Sequence, residues 1–220
     1  MMVESKKALI IFSRLPIGRE TKTRLAPLLS EAQRAELHLA MWRDIFPELT
    51  KLTEIEIFLY WTGSGDIKDY TKFIPPSFKL ARQTGGNLGE KMSNAMRDTM
   101  SRGYEQVAII GSDIPTLKAE NITRAFEILI GFDVAIGASA DGGYWLIGMR
   151  RLVTQVFDLT SWGNASVLDS TIEILRASGL SYQLADTLQD MDTPDDVAEF
   201  MKQPSNKDSQ VYKFLRSALR

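Results

Sequence analysis

Short apolar runs alternate with amphipathic segments along most of the chain. Apolar runs without polar alternation are typical of strands covered on both faces, and residues 107–110 are the clearest example. Apolar residues four positions apart, as at Leu37, Met41 and Ile45 after a capping Ser30, predict helices instead. The predicted strands span residues 8–13, 54–61, 78–82, 107–110, 132–138, 144–150 and 182–185. The predicted helices begin after Ser30 and span 88–100, 118–130, 166–177 and 194–202, with a last basic one ending at Arg220.

The order of these elements predicts the fold class. Strands alternate with helices up to residue 130, which indicates right-handed βαβ units and a mostly parallel sheet. The next two strands follow each other with little helix between them, so we expect an antiparallel element in that sheet. A chain of 220 residues suits one compact domain with a small appendage. We therefore expect an α/β fold.

Asp113 stands out because it follows the apolar run 107–110 almost directly. Gly111 and Pro115 end that strand at once. A carboxylate just beyond the carboxyl end of a central strand lies where open α/β sheets bind their ligands. The same aspartate also fits an Asx turn that leads into the next helix. This stretch alone leaves both interpretations open.

Composition excludes several classes of function. The net charge is −2 and no run of lysine or arginine occurs, so neither nucleic acid nor an anionic membrane is an expected partner. The absence of cysteine excludes disulfides, thiolate zinc sites and cysteine nucleophiles, and it suits a reducing cytoplasm. The single histidine, His38, lies in a helical pattern, which weakens any mechanism based on Ser-His pairs or histidine-rich metal sites.

Two loops after predicted strands suit a nucleotide. In residues 15–25, Gly18 can bring backbone amides near a ligand, and Lys22 and Arg24 carry charges that suit a di- or triphosphate. In residues 83–91, three glycines would let a planar base lie against the backbone, with Gln83 or Asn87 bonded to its edge. The first loop also fits a solvated basic turn, and the second also fits a plain connector. No Walker motif is present.

Two further loops are acidic. Asp141 precedes two glycines between predicted strands, a pattern that also fits a tight hairpin turn. Asp190 and Asp192 lie at period two in an extended segment, which suits two carboxylates on one cation. If the loops converge, Asp113, Asp190 and Asp192 would repel one another unless a divalent cation lay between them, and oxygen ligands favour Mg²⁺ or Mn²⁺.

The basic and acidic loops together suggest which kind of ligand binds. With Lys22 and Arg24 on the opposite flank of the carboxylates, a cation-bridged phosphate is the natural ligand. The segment 190–193, DMDT, also matches the DxDxT motif of haloacid-dehalogenase-like phosphatases. That motif should end the first strand of its fold, whereas here it lies near the end of the chain without an apolar run before it. We reject the phosphatase alternative.

Six motifs occur in an order that resembles a bacterial family of proteins similar to nucleotide-diphospho-sugar transferases. They are PIGRETKTRL, QTGGNLGEKM, GSDIPTL, DGGYWLIGM, WG and DMDTPDDV, and the resemblance runs from about residue 8 to residue 200. That family has the GT-A nucleotidyltransferase-like fold and is similar at longer range to phospholactate guanylyltransferase and molybdenum-cofactor guanylyltransferase. The resemblance implies a three-layer α/β/α sandwich over residues 1–202, with a C-terminal tail at 203–220.

The resemblance also implies roles for residues. Gly18, Lys22 and Arg24 would form the phosphate-binding segment, and Gln83, Gly86 and Gly89 would form the base-binding loop. Asp113 and Asp192, with Asp190, would be the metal ligands. Asp141, Gly142 and Trp162 would line the acceptor side. Many glycosyltransferases of this fold carry DxD after the central strand, whereas this chain has Gly111, Ser112 and Asp113. The single aspartate is closer to the nucleotidyltransferase relatives.

Two hypotheses follow. The first is a transferase dependent on Mg²⁺ or Mn²⁺ that uses a nucleoside triphosphate or nucleotide-diphospho-sugar and an unidentified small-molecule acceptor. Lys22, Arg24 and Asp113 would then be catalytic, with Asp141 as a base in glycosyl transfer. The second is a non-catalytic nucleotide-binding protein of the same fold. In either case the basic tail is a candidate subunit contact in a homo-oligomer.

Overall fold

The structure, a computed structural model, describes residues 5–159 and 166–220. Within them, seven strands form one mixed sheet in the order β3-β2-β1-β4-β6-β5-β7. The strands are β1 (Lys7–Arg14), β2 (Ile55–Thr62), β3 (Lys79–Arg82), β4 (Gln106–Gly111), β5 (Val134–Ser139), β6 (Tyr144–Met149) and β7 (Tyr182–Leu188). Each strand expected from the apolar pattern is present within a few residues of its expected bounds.

Six α-helices connect the described strands or follow them. They are α1 (Glu31–Leu49), α2 (Leu88–Ser101), α3 (Ala119–Gly131), α4 (Val167–Ala177), α5 (Pro194–Lys202) and α6 (Gln210–Ala218). Ser30 caps α1 as expected: its hydroxyl accepts a hydrogen bond from the Gln33 amide, and the Gln33 side chain accepts one from the Ser30 amide. Short 3₁₀ turns, including Thr23–Leu25, lie in the connections.

Both faces of the central strands are buried, as their continuous apolar runs predicted. In β4, Ala108 and Ile110 join one hydrophobic core with side chains of α1, α3, α5 and α6. Val107 and Ile109 join a second core with side chains of α2 and α4. Successive residues of a strand point to opposite faces, so the sheet is the middle layer of three. The expected α/β/α sandwich is confirmed.

One strand runs against the others. The pairs β1–β2, β1–β4, β2–β3 and β5–β7 are parallel, whereas β6 is antiparallel to both β4 and β5. The antiparallel element expected after residue 130 is therefore confirmed. The parallel pairing of β1 with β4 aligns Phe12 with Gly111, so the residues that follow these two strands meet at the same edge of the sheet.

The C-terminal segment lies against the body of the protein. Val211 and Leu215 of α6 are fully buried in the core shared with α1. Asp44 of α1 accepts hydrogen bonds from the Gln210 and Val211 amides at 2.8 and 2.9 Å, which satisfies the first turn of α6. The apolar face of α6 is thus occupied within the chain. The separation of a tail at residue 203 stays a prediction.

Candidate active site

A cleft of about 670 Å³ opens at the carboxyl ends of β1 and β4. Its size suits a nucleotide, because small-molecule sites commonly measure 300–1,000 Å³. Six of the candidate site residues singled out in the sequence line it, together with two cations that were not among the candidates. These lining residues are Arg14, Lys22, Arg24, Gln83, Gly86, Lys91, Asp113 and Asp192. Asp113 therefore lies at the carboxyl edge of the sheet, as its place in the sequence predicted, and its role in ligand binding stays a prediction.

The segment around Asp192 is tied to the end of the central strand. The Met191 amide donates a hydrogen bond to the Asp113 carbonyl at 2.9 Å. The Met191 side chain is buried, whereas Asp190 and Asp192 on either side of it are partly exposed. The period-two arrangement expected for the two aspartates is present, and it directs both carboxylates away from the core.

Lys22 joins the first loop to both acidic segments. Its ammonium group donates to the Met191 carbonyl at 2.7 Å and to Asp192 Oδ1 at 2.9 Å, and it lies 3.3 Å from Asp113 Oδ2. An ammonium has three donors, and these three acceptors occupy them. Lys22 has a left-handed backbone with φ of 50°, immediately before the turn Thr23–Leu25. We refer to Lys22, Asp113 and Asp192 as the Lys22 cluster.

Charges within the Lys22 cluster stabilise one another. The Lys22 side chain is 2% exposed, and the carboxylates of Asp113 and Asp192 are 38% and 34% exposed. Burial by itself would lower the pKa of Lys22, but the two carboxylates outweigh it and the pKa lies above its usual range. Burial likewise opposes ionisation of Asp113, and the nearby charge of Lys22 holds its pKa below the ordinary value. Lys22 and Asp113 are therefore both charged near neutral pH.

This arrangement differs from the expected three-carboxylate metal cage, and metal binding by Asp113, Asp190 and Asp192 stays a prediction. Lys22 lies between Asp113 and Asp192 and not on an opposite flank. The Asp190 carboxylate accepts a hydrogen bond from the Ser139 hydroxyl at 3.2 Å. Among residues 5–159 and 166–220, no three His, Cys, Asp or Glu side chains are arranged to hold a metal ion. A buried ammonium supplies the positive charge that the sequence analysis assigned to a cation alone.

Asp141 and Gly142 lie in the turn between β5 and β6. The Asp141 carboxylate accepts a hydrogen bond from the Gly143 amide at 3.1 Å, and Gly142 has a positive φ of 87°. The hairpin alternative for this motif is therefore confirmed. Burial raises the pKa of Asp190, and the charges of Asp141 and Asp192 raise it further, which couples the turn electrostatically to the acidic segment. Asp141 is the exposed end of this acidic group.

The loop before α2 is shaped by Glu90. The Glu90 carboxylate accepts hydrogen bonds from the Gly86 amide at 2.7 Å and from the Asn87 side chain at 3.0 Å. Asn87 also caps α2, so its amide group is already used within the chain. The Gln83 side chain donates to the Tyr60 carbonyl at 2.9 Å and lines the cleft. Gly89 is buried in the first turn of α2 and does not line the cleft, whereas Gln83, Gly86 and Asn87 do.

Gly18 has a different role from the expected contact with phosphate. It is buried against the start of α1, where a Cβ would lie 1.7 Å from the Glu31 carbonyl oxygen. Arg34 donates from its guanidinium to the Gly18 carbonyl at 3.0 Å. Gly18 is not among the residues that line the cleft. We therefore correct its assignment from ligand binding to close packing of the loop on α1.

Three cations of the cleft have no partner of opposite charge in the described part of the chain. Arg24 is exposed on the turn after Lys22, Arg14 ends β1, and Lys91 lies in the first turns of α2. Sequence analysis selected Arg24 but not Arg14 or Lys91. The signal available for the other two was their position directly after a strand and within the glycine loop.

His38 was set aside in the sequence analysis, yet it lies beneath the site. It is buried in α1, with Ser13 Oγ 3.0 Å from Nε2 and Thr21 Oγ1 3.0 Å from Nδ1. Burial lowers the pKa of His38 to about 4, so the ring is neutral near pH 7. Ser13 in turn lies 2.7 Å from Ser112, the neighbour of Asp113. A buried polar connection therefore joins α1 to the site.

Comparison with known proteins identifies the family. Residues 45–164, more than half of the chain, match the model of the family described as "Uncharacterized protein conserved in bacteria (DUF2064)". The chain belongs to DUF2064. The resemblance inferred from the six motifs is confirmed, because one similar solved structure is that of a protein assigned to the nucleotide-diphospho-sugar transferases. That protein, from Desulfovibrio desulfuricans G20, is 31% identical with a TM-score of 0.89, over 97% of this chain and 95% of its own.

Two curated relatives of this DUF2064 protein are guanylyltransferases. A 2-phospho-L-lactate guanylyltransferase of Methanobrevibacter smithii is 27% identical over 92% of this chain and 88% of its own length. A 3-phospho-D-glycerate guanylyltransferase of Phenylobacterium zucineum is 26% identical over 92% of this chain and 94% of its own length. Nucleotidyl transfer is thus the activity named for these full-length relatives.

Trp162, expected on the acceptor side, lies outside the described residues of this DUF2064 protein. In residues 5–159 and 166–220, no helix has both the length and the apolar character needed to cross a bilayer.

Proposed function

We propose that this DUF2064 protein is a nucleotidyltransferase that transfers a nucleoside monophosphate from a nucleoside triphosphate to a small phosphorylated acid. The observation that carries the proposal is the Lys22 cluster, an ion-paired lysine and two partly exposed carboxylates at the mouth of a nucleotide-sized cleft. The names of the relatives support it, since 2-phospho-L-lactate and 3-phospho-D-glycerate are both small acids that carry a phosphate. We propose GTP as the donor on the same grounds.

The donor set of the cluster fits a hard divalent cation. Mg²⁺ is usually held by one or two carboxylates, and substrate phosphates and water complete its coordination. Asp113 and Asp192 would hold Mg²⁺ or Mn²⁺ in this way, with Asp190 as a neighbouring oxygen donor. When bound, such an ion polarises phosphate oxygens and offsets the charge that develops in phosphoryl transfer.

The cations of the cleft would bind the triphosphate. Arg14, Arg24 and Lys91 have no salt-bridge partner among the described residues, so they are available to phosphate oxygens. Lys22 is different, because its three donors are occupied by protein acceptors. Lys22 would hold the two carboxylates at a fixed separation before the donor arrives and keep its own charge close to the α-phosphate.

The reaction that fits these groups is an in-line displacement. An ionised phosphate oxygen of the acceptor attacks the α-phosphorus and forms a new P–O bond. The bond from the α-phosphorus to the oxygen that bridges it to the β-phosphorus breaks, and that oxygen leaves with its electron pair on pyrophosphate. Because the attacking oxygen is already ionised at neutral pH, no general base is required. We therefore assign Asp141 and Gly142 to positioning the acceptor, with Trp162 as a further candidate.

Gln83 is the residue that we propose to contact the base. Its amide nitrogen is held by the Tyr60 carbonyl, which leaves the side-chain oxygen as the free acceptor. An acceptor in this place favours a base edge that carries N–H donors, such as the N1–H and N2 amino group of guanine. Gly86 would allow the base to approach the loop closely.

A thermal-shift screen tests the proposal. Nucleoside triphosphates and nucleotide sugars are each added with Mn²⁺, with Mg²⁺ or without metal, because a ligand that binds the folded state raises the melting temperature. We expect a metal-dependent rise with GTP. Asp113→Asn and Asp192→Asn should abolish it, whereas Asp195→Asn, a change at the neighbouring exposed aspartate, should retain it.

Other outcomes of the same screen would redirect the assignment. A rise with nucleotide sugars alone would indicate glycosyl transfer. A rise with GTP, but no pyrophosphate released in the presence of 2-phospholactate or 3-phosphoglycerate, would leave the non-catalytic binding protein as the better description for these acceptors.

A further inference from the structure

A chain of buried polar side chains connects α1 with the carboxylate of Asp113. Thr21, His38, Ser13 and Ser112 are all buried. His38 lies between Thr21 and Ser13, at 3.0 Å from each. From there the chain continues from Ser13 Oγ to Ser112 Oγ at 2.7 Å and from Ser112 Oγ to Asp113 Oδ1 at 3.2 Å. The parallel register of β1 and β4 explains the serine pair, since Phe12 aligns with Gly111 just before it.

The number of hydrogens determines the direction of this chain. The Trp42 indole lies 3.0 Å from Ser13 Oγ and can only donate. If His38 carries its hydrogen on Nε2, Ser13 accepts from both rings and donates to Ser112. Ser112 then donates to Asp113, and Thr21 donates to the free Nδ1. Each of the five contacts then contains one hydrogen, and the last hydrogen bond of the chain is donated to an ionised carboxylate.

The opposite tautomer breaks the chain. With the hydrogen on Nδ1, Ser13 must donate to Nε2 of His38 and Ser112 must donate to Ser13. No hydrogen then remains for the contact between Ser112 and Asp113, so lone pairs of the hydroxyl and carboxylate oxygens face each other. In a third pattern, Ser13 donates to the Arg14 carbonyl at 2.9 Å. With the Trp42 indole on one lone pair, Ser13 can then accept from Nε2 or from Ser112 but not from both, so one contact of the chain has no hydrogen. The Nε2–H pattern is therefore the one that supplies a hydrogen to all five contacts of the chain, and it leaves the Arg14 carbonyl without the Ser13 hydrogen.

We propose that His38, as the neutral Nε2–H tautomer, is a positioning residue that orients Asp113 through Ser13 and Ser112. The Ser112 hydroxyl donates a hydrogen bond to Oδ1 of Asp113, so Oδ2 faces Lys22 and the cleft. The role in catalysis rests on the nucleotidyl transfer proposed above, whereas the hydrogen-bond chain itself does not. The low pKa of the buried ring agrees with a neutral histidine.

The tautomer can be measured directly, because the chain contains one histidine. The nitrogen shifts of the imidazole in ¹⁵N-labelled protein at pH 7 distinguish Nε2–H, Nδ1–H and the imidazolium. We expect Nε2–H, and either of the other forms would overturn the proposal. Asp113→Ala should shift the ring toward Nδ1–H, because it removes the acceptor at the end of the chain. Asp195→Asn should leave the tautomer of His38 unchanged. If Asp113→Ala and Asp195→Asn give the same imidazole spectrum, Asp113 and His38 are not coupled.

Two substitutions at His38 separate positioning from packing. His38→Gln can keep a donor toward Ser13, whereas His38→Asn can keep only the acceptor toward Thr21. With Mn²⁺ and GTP as probes in calorimetry, we expect His38→Asn and Ser112→Ala to weaken binding of the metal-nucleotide complex at least tenfold, and His38→Gln to stay within about threefold of wild type. Melting temperatures without ligand confirm folding. Wild-type affinity in His38→Asn would overturn the proposed role.

Failure of this proposal differs from failure of the proposed function. If wild-type protein binds no triphosphate, the nucleotidyltransferase assignment fails, and the tautomer in wild type and in Asp113→Ala still decides whether the chain exists. If binding is normal and the ring is Nδ1–H, the function stands and the positioning role of His38 fails.

Discussion

The ammonium of Lys22 lies 2.9 Å from a carboxylate oxygen of Asp192, although 170 residues separate the two in sequence. The same ammonium faces Asp113, so three distant segments meet at one buried charge. The contact gives the acidic site a counter-ion of its own. A cation bound as proposed above would therefore share these two carboxylates with Lys22.

Removal of the lysine charge should therefore change both stability and metal binding. We expect Lys22→Met to lower the free energy of unfolding by about 2 kcal/mol without metal, less than for a fully buried pair because the carboxylates are partly exposed. Mn²⁺ should restore more stability to this variant than to wild type. Denaturant titrations with and without Mn²⁺ measure both effects. Lys202→Met, which removes an exposed pair with Glu199, should cost under about 0.5 kcal/mol. Equal losses in the two variants would contradict this account.

The buried histidine should make stability depend on pH. The pKa of His38 is lowered by burial to about 4, against about 6.5 in an unfolded chain. Between these values the unfolded state binds the extra proton, so stability is retained above pH 6.5 and is lost as the pH falls toward 4. We expect wild type to lose about 2 kcal/mol more than His38→Gln between pH 7 and pH 5. Urea unfolding at both values measures this difference, and parallel losses in the two proteins would contradict it.

Gly18 should tolerate no side chain. The Cβ of Gly18→Ala would lie 1.7 Å from the Glu31 carbonyl oxygen, so the loop or the start of α1 must move. We expect a loss of roughly 2 kcal/mol or more in stability and weaker nucleotide binding, since Lys22 follows on the same loop. Gly131→Ala is the matched control because a Cβ there meets nothing within 4 Å. Calorimetric unfolding of both variants would test this, and a neutral Gly18→Ala would contradict the packing role.

The C-terminal helix should contribute to the stability of the whole domain. Leu215 is fully buried against α1, whereas Leu219 is 41% exposed. We expect Leu215→Ala to cost about 2–4 kcal/mol and Leu219→Ala under about 1 kcal/mol. Deletion of residues 204–220 should lower the melting temperature in the same direction. An unchanged melting temperature in the deletion would instead support a separable tail at residue 203.

Much of the fold could be predicted because it depends on local patterns. The uninterrupted apolar run at Val107 to Ile110 predicted a strand buried on both faces, and β4 is the central strand of the sheet. The break after Gly111 then placed Asp113 at the ligand-binding edge. Capping of α1 by Ser30 and the antiparallel strand after residue 130 were equally local signals.

The geometry of the site could not be predicted in the same way. Lys22 was read as a phosphate ligand because its charge and loop position are visible in the sequence. Its three acceptors lie about 90 or more positions away and are known only from the fold. Gly18 was misassigned for the same reason, since its neighbour is the backbone of α1.

His38 illustrates the limit of motif-based analysis. Its partners Ser13 and Thr21 come from two other segments, and a helical pattern alone gives no reason to connect them. The signal that was present is indirect: Ser13 and Ser112 are small polar residues at the ends of two predicted strands.

The most direct test of the central claim follows the α-phosphate. Protein, Mn²⁺ and GTP labelled with ³²P at the α-position are incubated with 2-phospholactate or 3-phosphoglycerate, and the products are separated. We expect the label to move to the acceptor while unlabelled pyrophosphate is released, and we expect Asp113→Asn to abolish the transfer. Release of the label as GDP, or transfer that persists in Asp113→Asn, would contradict it.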